Sequence, residues 1–100
     1  MTPEEGRQKL EEFRVLIDGI DRRIVALLNE RTQIVESIGS VKRESQMPVY
    51  EPRREDQVFA NIAAANQGPI GHEAVRRIFE RIIDEMRGIQ RSRMQDEEVK

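Results

Sequence analysis

Arg31 stands where an apolar residue belongs. Leu10, Phe13, Ile17, Ile20, Ile24, Leu27, Ile34, Ile38 and Val41 recur at alternating steps of three and four residues, and Arg31 fills the one missing rung of that ladder. A cation on a helix seam is costly unless an anion pairs with it. Lys42 follows eleven residues later, about 20° around a helix from Arg31, so both cations face the same way. Arg14 sits roughly 100° around from Arg31 and about 25 Å along the axis, too far for one straight helix to bring both to one small ligand. From a second chain, Arg14 reaches a ligand held by the first. Arg54 and Glu55 follow a Pro48–Pro52 loop, and Gln90 falls on the apolar side of a later helix, eleven residues past Phe79.

Each of these residues also has a plain structural explanation. Arg14 can pair with Glu11 or Asp18 on its own helix, Arg31 with a buried carboxylate such as Asp21 of a partner chain, and Lys42 can snorkel from a helix end. Arg54 and Glu55 can form a solvated face, and Gln90 can lie on a fraying turn. As a set they fit one site better: three or four cations, one carboxylate and one amide. Such a site suits a small dianion that also carries a hydroxyl.

The elements that must position this set are helical. The spacing predicts a first helix from about Pro3 to about Glu44, with Thr2 as its cap, Pro3 in its first turn, and Glu4 and Glu5 at the positive end of its dipole. Gly19 and Gly39 weaken it by about 1 kcal/mol each relative to Ala but come without a proline, so the helix reads through them. A second helix starts near Pro52, carries Val58, Phe59, Ile62 and Ala65 on one face, and stops at Asn66-Gln67-Gly68-Pro69. Ile70-Gly71-His72 leads into a third helix with Val75, Ile78, Phe79, Ile82, Ile83, Met86 and Ile89 on its apolar face. From Arg91 the sequence turns polar, and fraying is expected through residues 91–100. Nothing longer than Val49-Tyr50 reads as extended.

A forty-residue helix is about 60 Å long, whereas a compact 100-residue domain has a radius of gyration near ~13 Å. The apolar ladder therefore outruns what the rest of one chain can cover. The expected architecture is all-α: three helices per chain, one of them very long, in an entwined homodimer. The alternative is a kink at Gly19 or Gly39 that folds the helix back on a monomer.

Composition excludes several classes of function. With no Cys and a single His, His72, neither a thiolate nor a histidine-rich metal site can be built, and no metal or cofactor is expected. A net charge of −2 gives no basic field for nucleic acid. No apolar run approaches the roughly 20 residues of a membrane span, and no secretory signal is visible at Met1-Thr2-Pro3-Glu4-Glu5, so a cytoplasmic location is expected. One domain over residues 1–100 is expected, and the polar end after Gln90 leans toward a free-standing chain.

The residues resemble the all-helical class of chorismate mutase, as in the mutase domain of bacterial P-protein-like enzymes. The matching stretches are Phe13-Arg14-Val15-Leu16-Ile17-Asp18-Gly19-Ile20-Asp21, Leu27-Leu28-Asn29-Glu30-Arg31, Ile38-Gly39-Ser40-Val41-Lys42, Pro48-Val49-Tyr50-Glu51-Pro52-Arg53-Arg54-Glu55, and Phe79-Glu80-Arg81-Ile82-Ile83 with Gln90. Each piece is short; the ordered set over about residues 8 to 90 is specific. The resemblance implies a homodimer with two equivalent sites and the Claisen rearrangement of chorismate to prephenate, in phenylalanine and tyrosine biosynthesis, without a cofactor.

It also implies roles. Arg14 from the partner chain and Arg31 clamp the two carboxylates. Lys42 binds a carboxylate and the ether oxygen, and Gln90 is the second donor to that oxygen. Glu55 accepts from the ring hydroxyl, with the backbone around Glu51 assisting, and Arg54 lines the pocket. Two positions depart from the family pattern. Met86 stands where several members carry a small hydroxyl residue, and it cannot donate to a carboxylate. Glu51 replaces a shorter Asp, with little effect expected because that role is mainly backbone. Rival readings are an isochorismate pyruvate lyase using the same cations, a regulatory helical dimer acting on a shikimate-pathway enzyme, and a plain coiled coil, which leaves Arg31 unexplained.

Overall fold

The computed structural model describes the backbone of residues 1–99 and the side chains of residues 1–95. It contains three helices, α1 (Pro3–Glu44), α2 (Pro52–Ala65) and α3 (His72–Val99), and no strand among the described residues. The chain divides into two compact units, Met1–Gln33 and Ile34–Lys100.

The first unit is the greater part of α1. The Glu5 N–H donates to Thr2 Oγ1 at 3.2 Å, so Thr2 caps the helix. Glu4 and Glu5 occupy the first turn, where the helix dipole favours negative charge. Gly19 does not interrupt the helix. Leu10, Phe13, Leu16, Ile17, Ile20, Ile24 and Leu27 are 46–63% exposed in the single chain. Apolar side chains of this size at helical spacing normally lie against something.

The second unit holds the last turns of α1 together with α2 and α3. Its buried centre is Val35 and Gly39 from α1 with Ile83 and Met86 from α3. Gly39 faces the α3 backbone: a Cβ at that position would lie 3.7 Å from both Cα and the carbonyl oxygen of Gln90, an ordinary contact distance, so a methyl fits there and a larger side chain meets Gln90.

The end of α1 is closed by its own backbone. Met47 N–H donates to Lys42 C=O at 2.7 Å and Gln46 N–H to Arg43 C=O at 3.2 Å, with Gln46 at φ 57°. This is the paired closure that usually takes glycine at the left-handed position. Here a glutamine bears that conformation, which is why the sequence shows only a break in pattern and no glycine stop. The closure fixes the backbone of Lys42.

After the loop, Pro52 opens α2 at the position where a missing N–H costs nothing. Asn66 organises the α2–α3 connection: its Oδ1 accepts from Gly68 N–H at 3.0 Å and its Nδ2 donates to Ile70 C=O at 2.9 Å. Gly68 has φ +76°, a conformation that suits glycine. Across α2 and α3, the Arg76 guanidinium lies 4.1 Å from the centre of the Phe59 ring.

α3 departs from expectation at its end. Its helix runs past Arg91 to Val99 instead of fraying there. Arg, Met, Gln and Glu dominate this stretch and are strong helix formers, so polarity alone does not stop the helix. Lys100 lies outside the described residues. No helix among the described residues is long and apolar enough to cross a membrane.

Candidate active site

Lys42 lies in the last turn of α1 and is only 6% exposed, yet it carries an ammonium. Burying it demands partners, and three surround it. Nζ donates to Val49 C=O at 2.8 Å and to Gln90 Oε1 at 2.9 Å, and it meets Glu51 Oε1 at 2.8 Å. An ammonium has three N–H donors and no acceptor, so all three protons have an acceptor in reach.

The Lys42–Gln90 contact fixes the amide of Gln90. Only its oxygen can face an ammonium, so the N–H2 edge is turned away from Lys42. A cation and an amide donor thus sit side by side. α1 supplies the first and α3 the second, and Gly39 of α1 faces the backbone of Gln90.

Glu55, in the first turn of α2, is half-buried and engages Arg87 of α3 through two parallel bonds. Arg87 Nε donates to Oε2 at 2.7 Å and Nη2 donates to Oε1 at 2.5 Å. The same guanidinium reaches Asp84 Oδ1 at 3.4 Å and lies 4.9 Å from the centre of the Tyr50 ring. The hydrogen bond with Glu55, and then its charge, raise the Arg87 pKa above the ordinary arginine value against the opposing effect of burial. A raised pKa on a cation means the pair's contribution is complete below arginine's ordinary range and fades only in stronger alkali.

The structure therefore groups Lys42, Glu51 and Gln90 by direct contact and pairs Glu55 with Arg87, all in the second unit. Arg54 is exposed and its Nη1 donates to Gln57 Oε1 at 3.5 Å on its own helix. Met86 is buried in the core. Arg31 is half-buried and Arg14 exposed, both in the first unit. Arg87 and the Val49 carbonyl were not signalled by the sequence. Arg87 lies three residues after Asp84 on a helix rich in arginine, which reads as an ordinary solvated pair, whereas its main partner is 32 residues away. Among the described residues no group of three or more Asp, Glu, His or Cys is arranged to hold a metal ion.

A family model described as chorismate mutase type II matches residues 13–91, which contain every residue of this site. The chain belongs to the chorismate mutase type II family. Among its type II relatives is the bifunctional chorismate mutase/prephenate dehydratase of Neisseria gonorrhoeae, 40% identical over 78% of this chain and 21% of the relative. A chorismate mutase of Methanocaldococcus jannaschii is 24% identical over 93% of this chain and 95% of its own length. The structure of a chorismate mutase from Thermus thermophilus superposes with a TM-score of 0.81 at 31% identity, over 83% of this chain and 94% of that one. The chain spans only about a fifth of the length of the bifunctional relatives it matches (22% and 21% in two cases).

Proposed function

We propose that this chain is a chorismate mutase, rearranging chorismate to prephenate on the way to phenylalanine and tyrosine. The observation that carries the reading is the buried Lys42 ammonium fixed against Gln90, with the amide N–H2 turned away from it. The reaction breaks a carbon–oxygen bond and makes a carbon–carbon bond within one molecule. The protein needs to hold the enolpyruvyl arm over the ring in a reactive chair-like shape. It also needs to stabilise negative charge growing on the ether oxygen as that bond stretches.

Lys42 and Gln90 suit the second task. One is a full positive charge in a water-poor place, where electrostatic interactions are stronger than in water, and the other is a neutral donor. Both are held before substrate arrives, so little reorganisation is required as charge develops. For the first task, Arg31 and a partner chain's Arg14 take the role of clamps on the two carboxylates, matching bidentate guanidinium to carboxylate geometry. Glu55 accepts from the ring hydroxyl with help from the backbone near Glu51, and Arg54 adds positive potential. Met86 contributes shape only.

The active form is a homodimer in this reading. The exposed apolar side chains of α1 support it, because a second chain would cover them and deliver Arg14. Residues 1–100 make up one catalytic domain, with the family resemblance over about residues 8–90, and the enzyme acts in the cytoplasm. The direct test supplies the purified protein with chorismate and, separately, with isochorismate. Prephenate from the first is the expected product; salicylate from the second, with chorismate untouched, would replace this reading with a lyase.

A further inference from the structure

Glu55 and Arg87 form a two-pronged charged pair in the second unit, and the expected roles leave Arg87 without a task. The guanidinium meets both carboxylate oxygens, is tethered by Asp84 and lies near the Tyr50 ring. Its side chain is 28% exposed and that of Glu55 19%. A two-pronged contact of this kind fixes the carboxylate plane as well as its position. Each carboxylate oxygen accepts about two hydrogen bonds, so Arg87 leaves each oxygen able to accept one more.

We propose that Arg87 is a positioning residue which turns Glu55 into a charge-compensated acceptor, so that the subsite selects a neutral hydroxyl over an ammonium on the substrate ring. The proposal rests on the mutase reading, in which Glu55 meets the ring hydroxyl.

A lone, half-buried carboxylate would attract an ammonium strongly, because opposite charges interact most where water is scarce. Arg87 places an equal positive charge on the same carboxylate. An incoming ammonium then meets attraction from Glu55 and repulsion from Arg87, and its full hydration is not replaced. A hydroxyl carries no net charge. It needs only one aligned acceptor, and the clamp supplies that alignment without a cost in side-chain ordering at the moment of binding.

The experiment compares chorismate with its analogue bearing an amine in place of the ring hydroxyl, using wild type, Arg87→Met, Arg87→Gln, Arg87→Lys, Glu55→Gln and the Glu55→Gln/Arg87→Met double variant. Circular dichroism and melting establish which of them fold. Arg87→Met should lower kcat/KM for chorismate about tenfold or more, the loss expected when one partner of a charge-assisted pair is removed. Its ratio of kcat/KM for the amine over that for the hydroxyl substrate should rise by at least about fivefold, since an uncompensated carboxylate favours a cation. Arg87→Gln, which keeps a donor but no charge, should raise the ratio too and serves if Arg87→Met does not fold. Arg87→Lys should hold the ratio near wild type while recovering part of the rate. In the Glu55→Gln background, Arg87→Met should raise the ratio clearly less than it does with Glu55 present, because only the direct repulsion by Arg87 is then relieved. A ratio that stays at the wild-type value in both neutral variants overturns Arg87's role, as does a change of equal size with and without Glu55. A wild-type protein that turns over neither substrate overturns the mutase reading and this proposal with it; turnover with an unmoved ratio overturns this proposal alone.

Discussion

Glu51→Gln should make the enzyme bind chorismate more tightly. In the structure all three Lys42 protons have acceptors: Val49 C=O at 2.8 Å, Gln90 Oε1 at 2.9 Å and Glu51 Oε1 at 2.8 Å. If Lys42 is to donate to the ether oxygen, one acceptor must yield. Val49 offers a backbone carbonyl fixed by its loop, and losing Gln90 would separate the two donors. Glu51 is the one that can leave, because its side chain is 51% exposed and water can replace the lysine. It therefore acts as a resident anion that competes with the substrate for the same ammonium. A partly exposed ion pair contributes about 0.2–1 kcal/mol, and a tenfold change in affinity corresponds to about 1.4 kcal/mol. Removing the competition should lower KM by roughly 1.4- to fivefold, with kcat nearly unchanged, because Glu51 has left Lys42 before the transition state. Initial rates of chorismate consumption over a range of substrate concentrations measure this. A KM that rises instead, or a kcat that falls tenfold, would refute the reasoning and make the Glu51 carboxylate an aid to the substrate.

Lys42→Ala and Gln90→Ala should each lower kcat by about 10²–10³, the usual loss for one preorganised donor at a developing oxyanion, with a smaller effect on KM; a change confined to KM in steady-state assays would remove the charge-stabilising role. Gly39→Ala adds a methyl at ordinary contact distance, 3.7 Å from the Gln90 backbone, and should raise the melting temperature by an amount equivalent to at most about 1 kcal/mol without loss of activity. Gly39→Val extends further toward Gln90 and should lower kcat, so equal activity in the two variants would show that the approach of α1 to α3 is not tight. Ile20→Asp places a charge among the exposed apolar residues of α1 and should convert a two-chain particle in analytical ultracentrifugation into single chains; sedimentation of the wild type as a monomer would dispose of the dimer.

The ends of the helices were largely legible in the sequence, because local chemistry specifies them. Thr2 and Pro3 mark the start of α1, Pro52 the start of α2, and Asn66 with Gly68 the turn before α3. The close of α1 was visible only as a lapse in the apolar pattern, since Gln46 takes a left-handed conformation that sequence rules assign to glycine. The extent of α3 is less legible, because the polarity after Arg91 suggests fraying whereas the residue types there favour helix. Within the candidate site, Lys42 and Gln90 stood out because each breaks an apolar face. Arg87 did not, since a guanidinium three residues from an acid on a charged helix looks like any surface pair. The side-chain contact of Glu51 with Lys42 was equally hidden. It depends on how the loop after α1 returns over the helix end, and no local spacing encodes that.

Lys42 and Gln90 should recognise the transition state better than the substrate. Isothermal titration calorimetry with a bicyclic dicarboxylate mimic of that transition state tests this directly. Wild-type protein should bind one mimic per chain at least about 10²-fold more tightly than it binds chorismate, and Gln90→Ala should lose most of that advantage. Absence of heat, or a mimic held no more tightly than chorismate, would contradict the account.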